Sequence, residues 1–351
     1  MLERGRERVI KTSTNKMLKG RLKKKSFSEH RGMPAPSMTL PDIAPQLQDA
    51  QLLKKALSGW RTDKKALIKI LGHKNATQRR KTRDAYHQLC NESLLDRLHS
   101  ELSGHFGKAM ILWTFDPPER DANLARSALR KSKKDAKQLK SIVEIACASS
   151  PNHLVAVRQV YSSMFECSLE EDIASNVSLP LRKLLVGLVT SYRNDKGVVD
   201  SVVANSEAST LHEAIKAKQL DDDHVVWILS TRNFYQLRET FKYYKKTYGN
   251  SIDQDIKSCG NGNLESLLKA VVCCIESPEK HFAEVIWDSV FGLGTDKNSL
   301  TRVIVRRAEI DLIKIREEYK KLYEKNIDFA VIDDTSGGYQ ELLMTLLGAR
   351  I

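Results

Sequence analysis

One helical pattern recurs four times through the 351-residue chain, and that recurrence limits the fold more than any other feature. Its clearest markers are two short loops. Gly59-Trp60-Arg61-Thr62 and Gly292-Leu293-Gly294-Thr295 share a glycine-containing shape. An acid follows each after the same gap, with 38 residues between Thr62 and Glu101 and 38 between Thr295 and Asp334. The threonines stand 233 residues apart (62 to 295), as do the acids (101 to 334), so two further copies between them give a mean period of about 78. Ile142-Val143-Glu144-Ile145-Ala146 in the second copy and Val226-Trp227-Ile228-Leu229 in the third match residues 67–71 of the first, and residues 302–305 match in the fourth. Tyrosine-bearing segments follow at 83–86, 158–161, 238–243 and 316–319.

Within each copy the apolar spacing is helical. Residues 50, 52, 53, 56 and 57 are apolar, and so are Leu94, Leu95, Leu98 and Leu102, in both cases along one helix face. No alternating stretch is long enough for a sheet, and 17 glycines and 9 prolines are too few for a turn-dense β chain. The expected class is all-α, with repeats at 45–116, 120–192, 204–277 and 279–351. Residues 1–37 stand apart. They carry eleven Lys or Arg against three Glu, a net +8 of the chain's +13, so the body is only mildly basic. That segment reads as a solvated disordered tail, as a lipid or RNA tether through residues 19–25, or as a nuclear or organellar address.

The loops suggest metal chemistry. A hard cation such as calcium takes six to eight oxygen ligands at roughly 2.3–2.6 Å. Carbonyls two residues apart converge on one point only where the chain curls sharply, which glycine allows at positive φ. A carboxylate must then supply charge, and Asp334 and Glu101 are placed to do so. Thr295-Asp296 also reads as a helix start, with the loop running directly into the next helix.

These segments, together with Ile70-Leu71-Gly72-His73-Lys74-Asn75-Ala76 and Leu112-Trp113-Thr114-Phe115-Asp116-Pro117, resemble the annexin family, and plant-type annexins in particular, over about residues 40–351. The resemblance implies five helices per repeat, a curved disc with calcium loops on its convex face, and calcium-dependent binding to anionic phospholipid membranes. In repeat 4 it implies the carbonyls of Val290, Gly292 and Gly294 with the Asp334 carboxylate as ligands. In repeat 1 it implies those of Leu57, Gly59 and Arg61 with Glu101. Arg61 replaces the family's glycine. At a position needing positive φ this costs roughly 1–2 kcal/mol, and its charge opposes a dication, so site 1 is expected to be the weaker. Trp60, Arg61 and Leu293 are the expected membrane contacts, with Trp60 suited to the headgroup boundary. Repeat 2 offers Lys131-Ser132-Lys133-Lys134-Asp135 and Asn176, and repeat 3 offers Lys218-Gln219-Leu220-Asp221 and Gly260. Neither is expected to bind calcium in this way.

Other chemistries leave fainter traces. His73, Cys147 and Cys274 match positions linked in plant-type annexins to peroxidase-like or redox behaviour, though both cysteines lie in apolar helical runs that favour inert thiols. Ile313-Lys314-Ile315 is similar to an actin-associated tripeptide and is very weak evidence. Gly104-His105-Phe106-Gly107-Lys108 lacks the spacing and the hydroxyl of a phosphate-binding loop. Six cysteines without a C-x-x-C pair suggest a reducing, cytoplasmic setting. Apolar runs of six residues are far short of the roughly twenty that span a bilayer, so membrane contact is expected to be peripheral. The expectation is therefore a non-enzymatic, calcium-dependent phospholipid binder with no specific nucleic-acid partner. The alternatives are an electrostatic polyanion binder acting through the basic tail and a peroxidase-like protein.

Overall fold

The computed structural model describes residues 45–131, 135–260, 262–292 and 294–348, which leaves the basic N-terminal segment, Leu293 and most of the repeat 2 lysine loop outside the described residues. Among the described residues twenty helices form, five to a repeat, and there is no strand. Repeat 1 contains α1 (Pro45–Leu57), α2 (Lys64–Leu71), α3 (Ala76–Cys90), α4 (Leu94–Glu101) and α5 (Gly104–Thr114). Repeat 2 contains α6 (Pro117–Leu129), α7 (Ala136–Cys147), α8 (Pro151–Phe165), α9 (Leu169–Asn176) and α10 (Leu181–Thr190). Repeat 3 contains α11 (Ser201–Lys216), α12 (Asp223–Thr231), α13 (Phe234–Tyr248), α14 (Ile252–Cys259) and α15 (Asn263–Glu276). Repeat 4 contains α16 (Pro278–Val290), α17 (Lys297–Arg307), α18 (Leu312–Tyr323), α19 (Ile327–Asp334) and α20 (Gly337–Leu346).

Local sequence explains where these helices begin and end. Asp63, Asn75, Asp135, Asn233 and Asp296 accept backbone N–H bonds at helix starts, satisfying donors that would otherwise be orphaned. The third helix of each repeat stops at the same place. Asn91, Glu166, Gly249 and Glu324 all take positive φ, each five residues after a buried tyrosine: Tyr86, Tyr161, Tyr244 and Tyr319. The tyrosine register in repeat 3 is therefore Tyr244, one residue past the segment ending at Tyr243 that the sequence suggested. The apolar face of α1 also differs from the sequence reading. Ala50, Leu53, Ala56 and Leu57 are buried, but Leu52 points to solvent.

The first and third helices pack together in every repeat: α1 on α3, α6 on α8, α11 on α13 and α16 on α18. Between repeats, α7 packs on α15, while α5 packs on α17 and α20, coupling repeat 2 to repeat 3 and repeat 1 to repeat 4. Repeats 2 and 4 meet through buried charges. The Arg306 guanidinium donates to both oxygens of Asp121, at 2.9 and 3.1 Å, and His153 Nε2 lies 2.9 Å from Asp121. Arg302 is bonded to Glu144, with His281 Nε2 at 3.3 Å from the same carboxylate. Burial alone would raise the Glu144 carboxyl, but Arg302, His281 and Arg306 reverse this and hold it down at about 2. Asp121 is likewise depressed, with burial opposed chiefly by Arg306.

Candidate calcium and membrane site

In repeat 4, α16 ends at Val290, and Phe291 leads into the loop that closes on Asp296, the N-cap of α17. The loop's base is clasped by the Asp296 N–H donating to the Ser289 carbonyl at 2.7 Å. Gly292 and Gly294 sit at φ of 109° and 92°. Nothing lies within 4 Å of where a Cβ would project at either position, so backbone conformation rather than crowding is what selects glycine there. Asp334 is the last residue of α19. The Thr295 hydroxyl donates to its Oδ1 at 3.0 Å, so a carboxylate 39 positions away in sequence is tied to the rim of the loop. A cavity of about 450 Å³ opens beside it, with Val290, Phe291, Ala330 and Asp334 in its wall.

Repeat 1 repeats this architecture with different contents. The Asp63 N–H clasps the Ala56 carbonyl at 3.0 Å, and the Thr62 hydroxyl donates to Glu101 Oε2 at 3.1 Å. The backbone differs, however. Neither Gly59 nor Arg61 takes positive φ, so Arg61 avoids the strain expected of a residue standing in for glycine. Trp60 is fully exposed at the tip and Arg61 is exposed beside it. A second arginine, absent from the sequence reading, enters the site. Arg97 Nη2 donates to the Leu57 carbonyl at 2.8 Å and lies 3.0 Å from Glu101 Oε1.

The middle repeats lack the constellation. In repeat 2, Asn176 closes α9 where repeats 1 and 4 place their acids, and its amide turns back on Asp172 at 2.8 Å. In repeat 3 the corresponding helix-end residue is Cys259, not Gly260 as the sequence suggested, and its thiol donates to the Ile215 carbonyl at 3.3 Å. Lys218 takes positive φ, and Asp222 caps α12. Neither helix end presents a carboxylate.

Among the described residues no three His, Cys, Asp or Glu side chains gather as a metal cluster. What the repeat 4 loop offers instead is backbone oxygen, a donor set suited to a hard cation such as calcium and unsuited to soft ones. Repeat 4 fits such a cation, with left-handed glycines next to a tethered carboxylate. Of the residues suggested for redox chemistry, Cys147 and Cys274 lie near each other where α7 packs on α15. His73 is exposed in the turn between α2 and α3. Cys147 and Cys274 are buried free thiols. Burial pushes Cys147 up to about 11 against the pull of nearby Arg193, and Cys274 well above its usual range, which disfavours the reactive thiolate. Of Ile313 and Ile315, the first is exposed and the second lies wholly in the core, which splits that tripeptide between surface and interior. No described helix is long and apolar enough to cross a membrane.

The annexin family model matches four segments, residues 48–113, 120–188, 206–271 and 281–346. This chain belongs to the annexin family. It is 52% identical over 313 residues to Annexin D3 of Arabidopsis thaliana, covering 88% of this chain and 98% of that one. It is 45% identical over 301 residues to Annexin-like protein RJ4 of Fragaria ananassa, covering 86% and 95%. Among solved structures it is similar to chicken annexin V in complex with Zn2+, at 34% identity and a TM-score of 0.79, covering 89% of this chain and 98% of that one. It is also similar to calcium-bound annexin (Sm)1, at 27% identity and a TM-score of 0.74, covering 87% and 91%. Annexins are, as a family, calcium-dependent binders of phospholipid membranes.

Proposed function

We propose that this annexin attaches to anionic phospholipid when calcium rises, and that repeat 4 supplies the principal metal site. The Val290, Gly292 and Gly294 carbonyls and the Asp334 carboxylate provide protein ligands. A lipid phosphate oxygen and water complete the shell. The observation that carries this reading is the Thr295–Asp334 bond beside two left-handed glycines. Because the protein's own ligand set is incomplete, calcium and lipid each raise the other's affinity by the same factor. Attachment is peripheral, from the cytoplasmic side.

Repeat 1 meets the same surface through Trp60 and Arg61. A solvent-facing indole at a loop tip gains on moving to the headgroup boundary, where its ring is buried and its N–H stays wet. Trp60→Ala is expected to weaken vesicle binding roughly five-fold, a loss of about 1 kcal/mol, without altering thermal stability. Unchanged binding would place this loop away from the lipid.

Co-sedimentation with vesicles of phosphatidylserine and phosphatidylcholine tests the proposal as a whole. Binding is expected to require calcium and to reverse completely with chelator. Binding that ignores chelator and falls steeply with salt identifies a purely electrostatic polyanion binder instead.

A further inference from the structure

The position four residues before the end of each repeat's fourth helix differs in every repeat that matters for calcium. It is Arg97 in repeat 1, Asp172 in repeat 2, Asp255 in repeat 3 and Ala330 in repeat 4, each eleven residues after the buried tyrosine of its repeat. In repeats 2 and 3 the aspartate accepts that tyrosine's hydroxyl: Tyr161 bonds Asp172, and Tyr244 bonds Asp255 at 2.8 Å. In repeat 4 alanine leaves the Tyr319 hydroxyl without a partner and the adjoining cavity open. In repeat 1 the Tyr86 hydroxyl turns to Glu92 at 2.8 Å, which leaves Arg97 to reach across to the loop.

We propose that Arg97 is a resident cation in the repeat 1 site and that it, rather than Arg61, excludes calcium there. The proposal rests on the calcium reading of repeat 4. The Arg97 guanidinium bonds two of the four oxygen donors the family pattern assigns to this site, the Leu57 carbonyl at 2.8 Å and the Glu101 carboxylate at 3.0 Å. A calcium ion needs those same oxygens and must displace a positive charge tethered among them. Arg61 competes for neither. Its side chain is exposed and its backbone is relaxed. Repeat 1 is thereby held in place without metal, its Trp60 tip presented at any calcium concentration.

Counting bound ions tests this, by equilibrium dialysis of the full chain against radioactive calcium with phosphatidylserine vesicles present. The wild type is expected to hold one ion that Asp334→Ala removes. Arg97→Ala, which installs the residue repeat 4 carries, is expected to restore one ion in the Asp334→Ala background, and Glu101→Gln to remove it again. Arg61→Gly in that background is expected to restore none. If Arg97→Ala/Asp334→Ala binds no ion although Asp334→Ala lost the original one, the Arg97 inference alone is overturned. The same holds if Arg61→Gly restores an ion where Arg97→Ala does not. If Glu101→Gln removes the wild-type ion while Asp334→Ala is silent, both readings fall. Arg97→Gln, which keeps the stem and removes the charge, serves if the alanine variant unfolds.

Discussion

Asp334→Ala is expected to raise the calcium needed for half-maximal vesicle binding by at least about ten-fold, corresponding to roughly 1.4 kcal/mol or more. The carbonyls of the repeat 4 loop carry no net charge, so in the proposed site Asp334, at the end of α19, is the one formal charge among the protein ligands. The loop itself should survive. Its clasp between Asp296 and Ser289 and the cap of α17 do not involve Asp334. Asp334→Asn sharpens the test. It keeps an acceptor for the Thr295 hydroxyl, which now bonds Oδ1 at 3.0 Å, and removes only the charge. It should lose nearly as much calcium sensitivity as the alanine variant, with an unchanged thermal midpoint. Glu101→Ala, by contrast, should move calcium sensitivity less than Asp334→Ala, because Arg97 already neutralises that carboxylate. Equal losses from the two acids would contradict the ranking of the sites.

The second large effect is on stability. Glu144→Ala is expected to cost about 3–5 kcal/mol, since removing one partner of a buried ion pair strands the other, and to lower the thermal midpoint by roughly four to eight degrees. Glu144 has no solvent exposure, and Arg302 and Arg306 beside it are buried as well. The cost should depend on pH in a defined direction. Arg302 helps hold the folded-state carboxyl at about 2 against the burial that would raise it. The unfolded value is near 4.3. A group depressed in the folded state contributes fully above the unfolded value and loses that contribution as pH falls through the folded one. The difference between wild type and Glu144→Ala, measured as urea midpoints, should therefore be largest at neutral pH and shrink between about pH 4.3 and pH 2. A difference that grows on acidification would show that Glu144 is not an ionised partner of Arg302.

Much of this molecule could be read from local signals. The paired glycine loops, the matched distance to Glu101 and Asp334, and the helical apolar spacing are written in residues near one another or at a fixed interval. The fold has five helices to a repeat, and each acid is bonded to the threonine of its loop. The failures share a different cause. Arg97 looks like an ordinary exposed-face residue of an amphipathic helix, and only the packing of α4 against the end of α1 brings it to the Leu57 carbonyl. Cys259 was displaced to Gly260 because no glycine loop or acid survives in repeat 3 to fix the register. The helix end and the Tyr244 anchor fix it in the structure. Arg61 would be strained only if its loop needed positive φ there, as repeat 4's does at Gly294, and the repeat 1 loop takes another path. The buried charges of Asp121, Glu144, Arg302 and Arg306 come from repeats far apart in sequence, and nothing in the spacing of any one repeat announces that they meet.

The central claim is that one calcium ion sits in the repeat 4 loop and none in the repeat 1 loop. A crystal structure of the protein grown with calcium and a short-chain phosphatidylserine measures this directly through the metal's anomalous signal. The predicted result is an ion bonded to an Asp334 oxygen and the loop carbonyls at roughly 2.3–2.6 Å, with Arg97 still bridging Leu57 and Glu101. An ion held by Glu101, with none at Asp334, would contradict the account.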